Sequence, residues 1–166
     1  MNGLSHHLHL ITRDSEHEAL GKRFQARYPR LPDDYAAFLK TYSLLTNQSD
    51  TTWFNSISDF NGTNVENDFK WNEFEIQSLE AFDGDAENQQ VVKDFWNNHI
   101  PIILSVKNGY AYFAINVSEE NFGEIYYGEE PEFEEAELVS NSFTSFIEAM
   151  QKKSLKKEYL DLFEVL

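Results

Sequence analysis

The fold is decided by the stretch HIPIILSVKNGYAYFAINV, residues 99–117 of the 166-residue chain. Residues 102–106 are almost continuously apolar, which predicts a strand covered on both faces. Asn108-Gly109 predicts a two-residue hairpin turn of type I′, because both residue types tolerate a positive φ. From 111 to 117 the side chains alternate, which places Tyr112 on the side opposite Phe113. The stretch therefore predicts an antiparallel hairpin within a sheet.

The sequence after the hairpin predicts two more strands and two helices. A turn at 121–123 precedes a short strand at 124–127, and residues 138–139 could form an edge segment. Ser142 is placed to cap a helix whose apolar residues recur at i, i+3, i+4 and i+7; they are Phe143, Phe146, Ile147 and Met150. A last helix starting near Ser154 would make 152–166 a C-terminal helical extension.

The sequence before the hairpin predicts helices and little regular strand. Ser15 and Glu18 have the spacing of a capping box, which predicts a first helix that Pro29 ends. A second helix is predicted from Pro32, with its apolar stripe formed by Leu31, Tyr35, Phe38, Leu39, Tyr42 and Leu45. We expect a loop at 47–52, a short strand or turn at Trp53, a strand over 71–79 and a helix ending before His99.

Together these elements predict one α+β domain spanning 1–166. Its central, mostly antiparallel sheet is flanked by N-terminal and C-terminal helices, and residues 1–14 are expected to be frayed. The N-terminus lacks the pattern of a secretory signal, and no apolar stretch reaches the roughly 18–20 residues of a membrane span. We therefore expect a soluble, cytoplasmic protein.

Composition and motifs argue against several classes of function. The chain has no cysteine, which excludes disulfides, thiolate nucleophiles and cysteine-ligated metals. It also lacks a P-loop, a dinucleotide-binding glycine motif, a nucleophile elbow and a zinc-protease motif, so we expect a binding protein without a cofactor rather than an enzyme. His6, His7 and His9 favour a frayed end over a metal site, and 83–85 favours a turn over a calcium loop.

Negative charge is concentrated in the middle of the chain. The net charge is −16, and residues 31–151 hold 4 basic and 23 acidic side chains, a net of 4 − 23 = −19. The negative electrostatic potential of this part of the chain repels nucleic acid and would steer a basic partner towards the protein. The alternative is that the charge serves only solubility.

The candidate binding residues are an acidic run and nearby tyrosines. The glutamates are Glu129, Glu130, Glu132, Glu134, Glu135 and Glu137, and the tyrosines are Tyr110, Tyr112, Tyr126 and Tyr127. Tyrosine combines a large contact area with a polar tip, so these rings could form an interface with a protein partner. Two alternatives remain open: the glutamates form a solvated loop, or a helix covers the tyrosines. Catalysis by a glutamate pair is the least favoured interpretation.

The order of these motifs resembles the SMI1/KNR4 (SUKH) superfamily. Leu31, Pro32, Tyr35, Phe38 and Leu39 match its LPxxYxxFL helix, and Ala19-Leu20-Gly21 matches a motif upstream. Its later strands and closing helix resemble 100–102, 108–115, 123–127 and 142–147 in the same order. The chain has Tyr42-Ser43-Leu44 where the family often has Asn-Gly-Gly.

The resemblance implies an α+β fold and a function in protein binding. Many bacterial members are immunity proteins that neutralise a cognate polymorphic toxin, commonly a nuclease or deaminase, by stoichiometric binding. Fungal members are regulatory scaffolds, which is the alternative function. The expected partner is thus a basic protein toxin, with no direct contact to nucleic acid or membrane, and the oligomeric state is left open.

Overall fold

The computed structural model of the chain describes residues 8–12 and 18–165. Seven strands form one antiparallel sheet in the order β1-β2-β3-β4-β5-β6-β7. They are β1 (Leu8–Thr12), β2 (Tyr42–Asn47), β3 (Thr52–Phe54), β4 (His99–Ser105), β5 (Ala111–Asn116), β6 (Ile125–Glu129) and β7 (Glu137–Ser140). The α+β prediction with a mostly antiparallel sheet is confirmed.

Helices lie on both faces of this sheet. They are α1 (Lys22–Arg27), α2 (Asp33–Thr41), α3 (Ile57–Asn61), α4 (Glu73–Ala81), α5 (Ala86–Asn98), α6 (Phe143–Gln151) and α7 (Lys157–Leu162). Phe113 of β5 packs against Phe146 of α6 on what we call the α6 face, with 5.2 Å between ring centroids. Its neighbour Tyr112 packs against Trp96 of α5 at 4.9 Å on the opposite, α5 face.

The hairpin of β4 and β5 is the centre of the fold. All six residues of β5 are buried, as are six of the seven residues of β4. Burial on both faces explains why 102–106 is apolar except at Ser105, and it confirms the expected double-covered strand. The turn differs from the prediction, since in the Asn108-Gly109 pair only Gly109 has a positive φ, of 99°. The side-chain amide of Asn108 donates a hydrogen bond to the carboxylate of Asp161 in α7 at 3.0 Å.

Two of the predicted helices on either side of the hairpin are confirmed. α5 ends at Asn98, directly before β4, and the side chain of Asp85 caps it by accepting from the N–H of Asn88. Ser142 caps α6 by accepting from the N–H of Ser145. In both cases a capping side chain and an apolar stripe agree, so local sequence is sufficient to place the helix.

Three predictions in the first half of the chain are wrong. Ser15, the predicted cap, lies outside the described residues, but residues 18–21 are not helical and α1 begins at Lys22. Glu18, the predicted capping partner, instead accepts from the hydroxyl of Ser58 of α3. α2 ends at Thr41, because the following residues extend and pair with β1, so Leu45 is buried from a strand rather than a helix. Residues 73–81 form a helix instead of a strand, with Phe74 and Ser78 buried one turn apart.

Both ends of the described chain are more integrated than the sequence suggests. Residues 8–12, within the segment 1–14 expected to be frayed, form β1 and pair with β2. In the predicted C-terminal extension, α7 begins only at Lys157 and its Tyr159, Leu160 and Leu162 are buried in the main core. Apolar side chains on α7 therefore complete the α6 face of the sheet rather than extend beyond it.

Candidate functional site

The acidic segment, residues 129–137, is fixed to the sheet by an aromatic residue in its middle. Phe133 is only 5% exposed and stacks on Phe74 of α4, with ring centroids 4.5 Å apart. The hydroxyl of Tyr112 donates to the carbonyl of Phe133. On the next residue, the carboxylate of Glu134 accepts from the indole N–H of Trp96 at 2.7 Å. The segment is thus packed against the α5 face and is not a merely solvated loop.

The start of the acidic segment lies beside the β4–β5 turn. The N–H of Glu130 donates to the carbonyl of Tyr110, and the N–H of Tyr110 donates to the Glu130 carboxylate, both at 2.9 Å. Gly109 has a φ of 99°, a conformation that residues with a Cβ rarely adopt, which explains why a glycine occupies the position. β5 begins and β6 ends here, so the acidic residues share one end of the sheet with the turn.

The two outer glutamates of the segment are bonded on the α6 face. Glu129 accepts from the hydroxyl of Tyr127 at 2.7 Å. Glu137 accepts from the ammonium of Lys156 at 2.8 Å and from the hydroxyl of Tyr159. These hydrogen bonds, with that from Lys156 the strongest influence, lower the pKa of the Glu137 carboxyl group. Glu137 is therefore ionised but already paired within the chain.

Glu132 and Glu135 differ from the other four glutamates. Both are exposed, and within residues 8–12 and 18–165 neither side chain makes a hydrogen bond or an ion pair. Their main chains are ordered by the bond from the N–H of Glu135 to the carbonyl of Glu132, at 3.0 Å. Of the six predicted glutamates, these two are the ones whose carboxylates make no bond to another described residue.

The four candidate tyrosines are divided between the two faces. Tyr112 is 0% exposed beneath α4 and α5, so its predicted place at an interface is wrong and the helix-covered alternative applies to it. Tyr110 is 36% exposed and packs edge-on against Phe69. Tyr126 lies on the α5 face, where burial and a hydrogen bond to Glu124 raise its pKa to about 12. Tyr127 lies on the α6 face.

The sequence interpretation missed the contribution of α7. A cleft of about 500 Å³ lies between α7 and the ends of β5 and β6, and Glu158 and Asp161 line it together with Glu129. A second cleft of about 340 Å³ adjoins it and is lined by Glu135 and Glu137. Nothing in the helical periodicity of 155–163 shows which strands α7 covers, so this part of the surface had no sequence signal.

His99 does not have the surroundings of a general base. Its Nδ1 lies 2.8 Å from the carbonyl oxygen of Phe95, and its Nε2 lies 3.0 Å from the side-chain amide nitrogen of Asn116. The imidazole also stacks on the Phe95 ring at 4.1 Å. Burial lowers its pKa, so the ring is neutral near pH 7 with both nitrogens engaged.

The described residues provide no obvious metal or membrane site. Across 8–12 and 18–165, no three side chains of the types His, Cys, Asp and Glu are grouped so as to hold a metal ion. His9 lies 3.1 Å from the side chain of Gln48, whereas His6 and His7 fall outside the described residues. None of the helices in this part of the chain is long and apolar enough to cross a membrane.

Comparison with known proteins agrees with this architecture. The model of the SMI1 / KNR4 family (SUKH-1) matches residues 17–149, which include the LPxxYxxFL helix, the central hairpin and α6. No curated protein and no solved structure matches the chain significantly. Because the family model covers well over half of the sequence, the resemblance of the separate motifs reflects common membership. The chain belongs to the SMI1/KNR4 family (SUKH-1).

Proposed function

We propose that the protein is an immunity protein that binds a cognate polymorphic toxin and neutralises it stoichiometrically in the cytoplasm of the bacterium that makes both. Membership of the SMI1/KNR4 family supports this role. The observation on which the proposal rests is the acidic segment, which Phe133 and Glu134 fix to the sheet while Glu132 and Glu135 stay exposed. A fixed, charged surface loses little entropy on binding and is suited to a partner of opposite charge.

The charge of the chain favours a nuclease or deaminase toxin as that partner. Proteins that act on nucleic acid present clustered Lys and Arg to the phosphate backbone. An inhibitor with a net charge of −16 is steered towards such a surface and can cover it. Inhibition then requires only that the complex is stable, so no turnover and no cofactor is involved.

The test is co-expression with the toxin domain encoded by the neighbouring gene. We expect growth to be restored when the protein is present, and the purified pair to elute as a stoichiometric complex. A regulatory scaffold, the alternative function, would give weak binding to several host proteins and no restored growth. Absence of both rescue and complex with that toxin domain would overturn the proposal.

The role of the acidic segment is tested with two variants of equal charge. Glu132→Gln/Glu135→Gln removes two exposed carboxylates without disturbing the bonds of Glu130 and Glu134. Glu119→Gln/Glu120→Gln removes two exposed carboxylates from the β5–β6 loop, at the other end of the sheet. We expect only the first variant to slow association with the toxin and to flatten its dependence on salt. Equal effects of the two variants would show that overall charge, and not this segment, matters.

A further inference from the structure

We infer that the two adjoining clefts beside α7 receive two basic side chains from one extended segment of the partner, placed on either side of Tyr127. The inference rests on the proposed function, because it assigns to the basic toxin the way in which it docks. It also places part of the expected interface on α7, a helix that no sequence motif marked as a binding element.

The register of the sheet creates this surface. Ala111 pairs with Glu129, and Tyr127 pairs with Glu137, so all four side chains lie on the α6 face at the same end of the sheet. α7 lies over the same face through Tyr159, whose ring packs against that of Tyr127 at 4.7 Å. The small residues Gly109 and Ala111 leave space between the strands and the helix, and this space is the larger cleft.

The clefts have the chemistry to bind long cationic side chains. The floor of the larger cleft includes the Tyr127 ring, Ala111 and Leu162, against which the methylene stem of an arginine or lysine could pack. Five carboxylates line the two clefts, from Glu129, Glu135, Glu137, Glu158 and Asp161. Three ammonium groups lie among them: Lys157 lines the larger cleft, Lys156 is 2.8 Å from Glu137 and 3.7 Å from Glu158, and Lys107 is 3.5 Å from Asp161, which leaves a net charge of 3 − 5 = −2. The charge balance therefore favours a cation, and the tyrosine face can add a cation–π contact.

Tyr127 connects the two clefts and orients their shared carboxylate. Tyr127 and Glu129 line both spaces, and the tyrosine hydroxyl donates to Glu129 at 2.7 Å. Burial, together with this hydrogen bond, raises the pKa of Tyr127, so the hydroxyl remains a donor at all physiological pH values. In an extended segment, side chains i and i+2 point to the same side about 6.6 Å apart, so two of them can straddle one ring.

A short peptide provides the direct test on the intact protein. Acetyl-Arg-Gly-Arg-amide is titrated into the ¹⁵N-labelled protein, with acetyl-Gln-Gly-Gln-amide as the uncharged control. We expect amide shifts confined to 109–111, 127–129, 135–137 and 157–162, and none with the control peptide. Shifts spread evenly over all acidic surfaces of the protein, or absent altogether, would overturn the inference.

Matched variants separate the clefts from the general acidity of the chain. Glu129→Gln/Glu158→Gln keeps a hydrogen-bond acceptor for Tyr127 but removes two charges from the rim, and we expect the affinity for the arginine peptide to fall at least about five-fold. Glu119→Gln/Glu120→Gln has the same net charge and should remain within about two-fold of the unchanged protein. Equal losses in the two variants would refute the role of the clefts.

The co-expression assay distinguishes the failure of this inference from the failure of the proposed function. If the unchanged protein and Glu129→Gln/Glu158→Gln restore growth and bind the toxin domain equally well, the clefts are not the docking site although the protein is an immunity protein. If the peptide maps to the clefts but the unchanged protein gives neither rescue nor complex, the clefts bind basic side chains and the proposed function is wrong.

Discussion

Replacing Phe133 by alanine should detach the acidic segment and lower the stability of the whole domain. The Phe133 side chain is 5% exposed, stacks on Phe74 and lies next to the ring of Tyr112. Truncation of a buried phenylalanine costs about 3–5 kcal/mol, made up of lost burial and the cavity that remains. Because Phe133 belongs to a connecting segment that can relax, we expect the lower end, about 3 kcal/mol.

Urea unfolding and thermal unfolding measure this loss. For a chain of this length, about 3 kcal/mol corresponds to a decrease in Tm of about 6–12 °C. Glu132→Ala, at the exposed neighbouring position, is the matched control and should change the free energy of unfolding by less than about 0.5 kcal/mol. We also expect faster hydrogen exchange at the amide of Glu135, which is bonded within the segment.

The refuting result is a small effect of the Phe133→Ala substitution. A decrease in the free energy of unfolding of less than about 1 kcal/mol, with unchanged exchange at Glu135, would mean that Phe133 does not fix the segment. The acidic segment would then be a solvated loop, and the argument for a preordered docking surface would lose its structural basis.

Three further predictions concern residues outside that segment. Burial opposes protonation of His99, so its pKa in the folded protein lies below 6.5 and the free energy of unfolding should fall as the pH decreases from 7.5 to 5.5. Urea unfolding of His99→Gln should show a smaller decrease in the free energy of unfolding over this range. An equal decrease in the two proteins would contradict the reasoning. Gly128→Ala would place a Cβ against the Tyr112 ring and should lower the free energy of unfolding by about 1–3 kcal/mol. Thermal unfolding measures this loss, and an unchanged Tm would be contrary to expectation. Glu75 accepts two hydrogen bonds from the Arg27 guanidinium, at 2.7 and 2.9 Å, and Glu75→Leu should lower the free energy of unfolding by about 2 kcal/mol because it leaves Arg27 unpaired. The double variant with Arg27→Met should recover much of this loss. A double variant no more stable than Glu75→Leu alone would disprove the reasoning.

Local sequence was sufficient where two independent signals agreed. Ser142 supplies a cap and the following residues supply an apolar stripe, so α6 was placed correctly. In β4 and β5 the long apolar runs interrupted by Asn108-Gly109 indicated a buried hairpin, and this is what the sheet contains. The predicted turn type was wrong: only Gly109 of the pair has a positive φ, and the side chain of Asn108 bonds to Asp161, a residue 53 positions away.

Local sequence failed where a pattern fitted two structures. Leu45 continues the helical spacing of Phe38 and Leu39, yet it lies in a strand because β1 is available to pair with β2. Residues 71–79 alternate imperfectly, but burial of Phe74 against Phe133 from a helix fills the α5 face. In both cases the choice depends on a partner that is distant in sequence.

The sequence by itself determined the α+β class, the central hairpin, the position of the acidic run and the family. Which of those glutamates are bonded within the chain was decided only by tertiary structure. Glu134 is bonded to Trp96, 38 residues before it, and Glu137 is bonded to Lys156, 19 residues after it, whereas Glu132 and Glu135 are left to solvent. The reason is physical: the packing of α5 and α7 on opposite faces of the sheet places a donor beside some carboxylates and not others.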